Sequence, residues 1–290
     1  GSIRLDESIG YIDRLSPGEG DFVQPKGICF DDVTGNYLTT TDLTQAISYL
    51  STEVLHRKFS IVACDACLMA GADIFIELKD SVDYFVASQE VELSLGYKYD
   101  DIVEPLVKDR ICCGEELACH FVQAFKNYYS PQIEFYTHVA IDLSYGKKLN
   151  ENIDAVARCL SYGLTYQKEK TVREAIRLSR HKKHCICFNE PSYIDLGNFY
   201  RNLLEHLPRC QFDEEVNELD YRSLLHTLLH EGLTLIQTAV KANVAGSKHS
   251  LASGISIYFP EFIIHNSYHA NPFAQKNYWL NFLKDYTDGK

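Results

Sequence analysis

The sequence predicts an α/β protein built on a mostly parallel sheet. Short, nearly continuous apolar runs recur at 58–64, 81–88, 135–142 and 254–259. Helical stretches separate them, and turn-forming clusters mark several of the junctions. No internal repeat and no low-complexity linker interrupts the pattern, so one compact domain is expected.

The elements follow in order. Residues 3–26 hold the turn-rich Ser16-Pro17-Gly18-Glu19-Gly20 and read as a surface loop. A short apolar piece, Gly27-Ile28-Cys29-Phe30, leads to a turn through Asp31-Asp32 and Thr34-Gly35-Asn36. Thr39-Thr40-Thr41-Asp42 offers N-caps for a helix of about ten residues with Leu43, Ile47 and Leu50 on one face. Lys58 to Cys64 is short, partly β-branched and apolar, as a strand buried on both faces should be. It runs into Asp65-Ala66-Cys67-Leu68-Met69-Ala70-Gly71 and a helix to about Leu78. A strand at 81–88, helices near 100–108 and 115–128, and a strand at 135–142 come next. Helices at 147–163 and 168–179 follow. Cys185-Ile186-Cys187-Phe188 reads as a short strand. Helices over 195–205 and 213–243, a strand at 254–259 and a C-terminal helix carrying Tyr278, Trp279, Phe282 and Leu283 complete the chain.

Composition removes several classes of function. Lys and Arg number 28 against 40 Asp and Glu, a formal charge of −12. The basic stretches at 173–183 and 147–148 are short, so nucleic acid is not an expected partner. No apolar run approaches the ~18 residues of a membrane span, and no basic-then-apolar leader opens the chain. The ten cysteines sit in a chain long enough to build its own core, several inside apolar patterns. Mostly free thiols are therefore expected, a leaning towards a reducing compartment.

The strongest local feature is the strand-to-helix junction at Cys67. In open α/β sheets sites form at the carboxyl ends of strands. A thiol at a helix N-terminus would be drawn towards thiolate. The competing reading makes Cys67 a small packing residue. Cys64 and Cys67 also form a C-x-x-C, which admits a redox reading, although Cys64 should point into the sheet packing. His181, His184, Cys185 and Cys187 have the atoms for zinc but match no standard spacing. Asp31-Asp32 and Asp100-Asp101 offer oxygen ligands for calcium, with turns and helix caps as the plainer reading.

The residues around Cys67 carry a resemblance. Ile61-Val62-Ala63-Cys64-Asp65-Ala66-Cys67-Leu68-Met69-Ala70, then Glu77-Leu78-Lys79-Asp80, then Tyr84-Phe85-Val86-Ala87-Ser88-Gln89-Glu90 resemble the clostripain family of cysteine peptidases. Asp-Ala-Cys-Leu-Met is the most specific stretch. Gly27 to Asp32 with Leu38-Thr39, Gly246-Ser247-Lys248-His249 with Ser253 to Pro260, and Tyr193-Ile194-Asp195-Leu196 agree with it. The resemblance spans roughly residues 27–286 and implies a caspase-like three-layer α/β sandwich. By the family pattern Cys67 is the nucleophile of a Cys–His dyad that cleaves polypeptide substrates. Asp65 matches an acid lining the pocket for the residue before the cleaved bond, usually Arg or Lys. A carboxylate suits such a cation. No cofactor is implied for certain; calcium is an open expectation. The family is largely bacterial and often exported, which pulls localisation away from the thiol count and leaves it open.

Two departures qualify the resemblance. The family's base is the His of a His-Gly dipeptide upstream of the cysteine, and here no His precedes a Gly. His56 is the only His before Cys67 and lies in a helix-to-strand connection. Residues 1–26 are therefore expected to be a loop region and 27–290 one peptidase domain, whose first strands and His lie on another polypeptide, an N-terminal light chain. That expectation leaves strand 58–64 with an open flank. A pseudo-peptidase that binds peptides without cutting them, and a different base with Pro17 in place of His, are the alternatives. The second departure is Leu95, which stands before Gly96-Tyr97 where the family often has an acid. Glu90 and Glu92 are the substitutes nearby.

Overall fold

The computed structural model describes residues 27–288, apart from 30, 32, 93–94, 109–112, 131, 167–170 and 210–217. The loop region assigned to 1–26, with Pro17, lies outside the described residues.

Strands β1 (Gly27–Ile28) and β2 (Leu38–Thr39) form a small antiparallel ribbon. Thr39 then caps α1 (Thr40–Tyr49). Its hydroxyl accepts from the Asp42 N–H, and the Asp42 carboxylate accepts from the Thr39 N–H, a reciprocal capping box. The helix buries Thr44 and Ile47, whereas Leu50 opens a π-helical turn, Leu50–Leu55, and is exposed.

The central sheet takes the order β3 (Phe59–Ala63), β4 (Val82–Ala87), β5 (Thr137–Asp142), β7 (Val240–Ala245). Among the described residues β3 is an edge strand. The sheet is mixed, not mostly parallel as expected: β3 and β4 run parallel, and β4–β5 and β5–β7 run antiparallel. The connections explain this. One helix, α2 (Ala72–Leu78), carries the chain back from β3 to start β4 at the same end. Two helices, α3 (Tyr99–Val107) and α4 (Gly114–Tyr129), separate β4 from β5. The pair makes an out-and-back excursion, so β5 enters from the other end.

Strand periodicity sorts the sheet's side chains into two layers. Val86, Ala140 and their neighbours face α4, meeting Ala118 and Val122. Phe85, Ala87, Val139 and Ile141 face the opposite layer. That layer comprises α2, α5 (Gly146–Thr165) and α8 (Glu218–Ala239). Phe85 is fully buried there, and truncating it to Ala should cost about 3–5 kcal/mol. Helices on both faces make the three-layer α/β sandwich that the resemblance implies.

Beside the sheet, α6 (Thr171–Arg180) and α7 (Leu196–His206) pack together, and β6 (Tyr193–Asp195) pairs with β8 (Ser256–Tyr258). Short helices α9 (Asn266–His269) and α10 (Pro272–Lys276) precede α11 (Trp279–Asp288). The Trp279 indole N–H donates to the Tyr258 carbonyl at 2.7 Å, locking α11 onto β8.

Three expectations change at this level. The helix expected over 213–243 ends at Ala239, and residues 240–245 form strand β7. Its alternation, with Ala242 and Val244 turned towards α4, was hidden in a run that also suits a helix. The strand expected at Cys185–Phe188 is only an isolated bridge between Cys187 and Ile194. Helix α2 begins after Gly71, as expected, but Cys67 is not at its N-terminus: Gly71 is the N-cap, and residues 64–70 are a loop. No described helix is long and apolar enough to cross a membrane.

Candidate active site

The parallel pair β3 and β4 delivers two loops to the same end of the sheet. They run side by side. The Cys64 N–H donates to the Val86 carbonyl (2.9 Å), Leu68 to Glu90 (3.2 Å) and Ala70 to Ser88 (2.9 Å). Thr137, the first residue of β5, pins the second loop: its Oγ1 accepts from the N–H groups of both Gln89 and Glu90 at 2.9 Å. Leu68 sits at φ 61°, a left-handed conformation that a branched side chain adopts only under constraint.

Cys67 lies in the first loop and opens to solvent. Its sulfur accepts from the Glu92 N–H at 3.3 Å and approaches the Glu92 carbonyl at 3.6 Å. Among the described residues no histidine is a hydrogen-bond partner of this sulfur. The helix begins four residues past Leu68, too far for its first turn to act on the thiol, so the dipole argument from the sequence falls away. Burial of the sulfur pushes the Cys67 thiol up; the Glu92 N–H opposes that, and the Glu92 and Glu90 carboxylates add to it. So placed, the thiol favours its protonated form. His56, at the opposite end of β3, is separated from it by roughly 16 Å of strand. It bonds instead to the Thr52 carbonyl.

Cys64 is buried, unbridged, and pushed up to about 12 by desolvation. All eight described cysteines are free, which leaves the C-x-x-C without its bridge. Among the described residues no group of three or more His, Cys, Asp or Glu side chains is placed to hold a metal, so His181, His184, Cys185 and Cys187 form no such cluster. The Asp31 carboxylate holds its own turn, accepting from the Val33 N–H and the Thr34 hydroxyl.

Asp65 is two residues before Cys67 and likewise exposed. Its Oδ2 accepts from the Tyr97 N–H at 3.1 Å and the Tyr99 hydroxyl at 2.7 Å. Gly96 makes this clamp feasible. It adopts φ +60°, and a Cβ there would stand 2.5 Å from the Asp65 Oδ2. Leu95, where an acid was sought, is exposed and apolar.

Glu92 and Glu90 differ sharply. Glu90 faces away: its carboxylate accepts from the Val91 and Asn189 N–H groups and pairs with His249 Nε2 at 3.0 Å. Glu92 is buried behind Asp65, with its Oε1 3.2 Å from Nδ1 of His138 on β5. Desolvation, then the Asp65 charge and a hydrogen bond to Asp65, push Glu92 up to about 9. Burial pushes His138 down to about 3. Phe125 stacks on the imidazole at 4.2 Å, and the Tyr97 hydroxyl lies between His138 Nε2 (2.9 Å) and the Cys64 carbonyl (3.0 Å). Sequence reasoning passed over His138 and Tyr99, met Tyr97 only as the neighbour of Gly96, and named Glu92 only as a substitute acid. His138 sits alone in an apolar run, where the plain reading is packing.

A second network holds the loops in place. The buried Asp195 carboxylate accepts from Gln89 Nε2 (3.0 Å), the Asn198 N–H (2.7 Å), the Ser253 N–H (2.6 Å) and the Ser253 hydroxyl (3.0 Å). It thus caps α7 and ties the Cys67-supporting loop to the segment before β8.

An α/β sandwich with an open-lying cysteine and a clamped carboxylate at the carboxyl ends of a parallel strand pair defines a class, that of open-sheet α/β proteins with a site at the strand ends. Within it the family follows. The clostripain family model matches residues 16–287, and the chain belongs to that family. Solved structures agree in fold. A Bacteroides fragilis cysteine protease superposes with a TM-score of 0.56 at 14% identity, covering 86% of this chain and 99% of that one. A clostripain from Bacteroides thetaiotaomicron, in complex with the peptide inhibitor BTN-VLTK-AOMK, gives 0.53 at 17% identity over 88% and 98%. An inactive zymogen of a C11 protease from Parabacteroides distasonis gives 0.56 at 17% identity over 94% and 75%. At these identities the likeness speaks for the fold. Among curated proteins no match was found.

Proposed function

We propose that this chain is the cysteine-bearing part of an endopeptidase that cleaves after Arg or Lys. The observation that carries the reading is the pairing of Cys67 with Asp65: an open thiol, and two residues before it a carboxylate held in place by Tyr97 and Tyr99. Asp65 would seat the cationic side chain before the scissile bond, bidentately for Arg. The Cys67 sulfur would attack the carbonyl carbon, expel the amine as the acyl-enzyme forms, and yield to water in a second step. The proton lost by the thiol goes to a base, which returns it to the leaving amine.

That base would be a histidine on another polypeptide, an N-terminal light chain. The free side of β3 is where another strand would pair, since an edge strand presents unpaired backbone groups. A light chain docked there would bring its carboxyl end beside the end of β3, and so beside Cys67. The raised thiol is consistent with a partner that has yet to arrive. It also favours a second reading, a pseudo-peptidase that keeps the peptide groove and Asp65 without cutting. The steps above call on no cofactor; a calcium requirement would appear as loss of activity in chelator and its return with the ion.

The test uses protein from the full-length gene and an irreversible electrophile on an Arg peptide, with the adduct mapped by mass spectrometry. An adduct on Cys67, with a His-containing chain co-purifying, supports the two-chain peptidase. Failure to label Cys67 while a general thiol reagent reaches it refutes the basic preference or the dyad. A panel of other side chains on the same electrophile separates those two.

A further inference from the structure

The carboxyl of Glu92 has an unusual set of neighbours. Both its oxygens are buried, and among the described residues no N–H or O–H donor meets them in hydrogen-bond geometry. What faces them is the Asp65 carboxyl and Nδ1 of His138. The hydrogen-bond pattern assigns the imidazole's proton. The Tyr97 hydroxyl donates to the Cys64 carbonyl, so His138 Nε2 donates to the Tyr97 oxygen. In a neutral imidazole that leaves Nδ1 as an acceptor. Glu92 is thus surrounded by acceptors and must supply the hydrogen itself, as a carboxylic acid. Asp65, by contrast, already has two donors and faces solvent.

We propose that Asp65 and Glu92 act as one acid pair sharing a proton, and that a substrate guanidinium or ammonium group seated on Asp65 displaces that proton and meets two carboxylates. The inference rests on the reading of Asp65 as the group that meets a cationic side chain. It makes Glu92 a positioning residue for specificity, filling the role left empty at Leu95 from beneath the pocket.

The proton balance is simple. The free pair carries one negative charge. The entering cation stands over Asp65, with Glu92 directly behind. Glu92 releases its proton to solvent, the pair gains a second negative charge, and the cation neutralises one of the two. An opposite charge at such range lowers a carboxyl by about 1–3 pKa units. His138 and Tyr97 are built to accept the change. Once Glu92 is ionised, the imidazole holds its proton on Nδ1, donates to Glu92, and receives the Tyr97 hydroxyl on Nε2. Every partner in this relay is already within 3.2 Å. Besides Asp65 and His138, the described titratable groups that feel the Glu92 charge are the Cys64 and Cys67 thiols and the hydroxyls of Tyr97, Tyr99 and Tyr129. All of them are shifted upward.

Agmatine tests this on the full-length protein, because it presents a guanidinium and has no bond to cleave. Calorimetry at pH 8 in two buffers of different ionisation enthalpy counts the protons released. Wild type should release about half to one proton per agmatine, with Kd falling up to about tenfold between pH 7 and pH 8. Glu92→Gln should bind more weakly, release none, and show a flat pH profile. In ¹⁵N spectra the wild-type His138 proton should move from Nε2 to Nδ1 on binding, a readout that survives if the variant fails to fold. Tight binding with no proton release and an unmoved His138 would overturn the acid pair while leaving the cationic pocket intact. No agmatine binding between pH 6.5 and 9, with a neutral-side-chain electrophile labelling Cys67, would overturn both the pair and the basic preference.

Discussion

Removing the Asp195 carboxylate should destabilise the protein and loosen the loop that supports Cys67. In Asp195→Ala the N–H groups of Asn198 and Ser253 and the Gln89 amide lose a buried acceptor. Each orphaned donor costs about 1–3 kcal/mol, and loss of the α7 cap alone about 1 kcal/mol. Against this stands the relief of a buried charge, whose desolvation already pushes Asp195 up despite four hydrogen bonds. The net expectation is on the order of 3–5 kcal/mol, or roughly 10 °C in Tm for a chain of this size. Asp195→Ser separates the two parts. Serine is a good N-cap, so it should recover about 1 kcal/mol while leaving Gln89 and Ser253 unpaired. Urea titration with matched m-values gives the energies, and hydrogen exchange at residues 88–92 reports the loop. An alanine variant within 1 kcal/mol of wild type, or a serine variant no milder than alanine, would refute the assignment of Asp195 as cap and clamp.

Three further outcomes are expected. Cys64→Ser should leave peptidase activity of the full-length protein within a few-fold, whereas Cys67→Ala abolishes it; the reverse, measured on an Arg-peptide substrate, would restore the redox reading. Gly96→Ala strains a left-handed residue by about 1 kcal/mol and drives a Cβ into Asp65, so KM for a cationic substrate should rise with little change for a neutral one. The Cys67 thiol is held up; iodoacetamide labelling of this chain alone should reach half its maximal rate above the ~8.5 of an ordinary cysteine. A midpoint below that value would mean that a base already sits beside the sulfur.

Much of the site was legible in the chain because it is local. Asp65, Cys67, Gly96 and Tyr97 fall within two loops, and their spacing survives as sequence. The strand β3 and the helices α4, α5 and α11 were legible for a related reason: each has a one-sided or continuous apolar pattern set by neighbours a few residues away. Strand β7 was not, because Val240–Ala245 continues the pattern of α8 and becomes a strand only by pairing with β5, about a hundred residues earlier. The place of Cys67 relative to α2 misled for the opposite reason. Residues 64–70 adjoin the helix in sequence, but the N–H groups of Cys64, Leu68 and Ala70 are taken by β4 and the loop after it.

By itself, then, the sequence determined the α/β class, the cysteine, the acid two residues before it and the lack of a His-Gly. Only the tertiary structure decided that the sheet is mixed, that Cys67 lies in a loop without a helix dipole, and that Glu92 rather than Glu90 backs Asp65. The physical reason is that charge and hydrogen bonding act through space. Glu92 and His138 lie 46 positions apart, each unremarked among its neighbours in the chain, and their chemistry begins only where β5 brings the imidazole to within 3.2 Å of the acid.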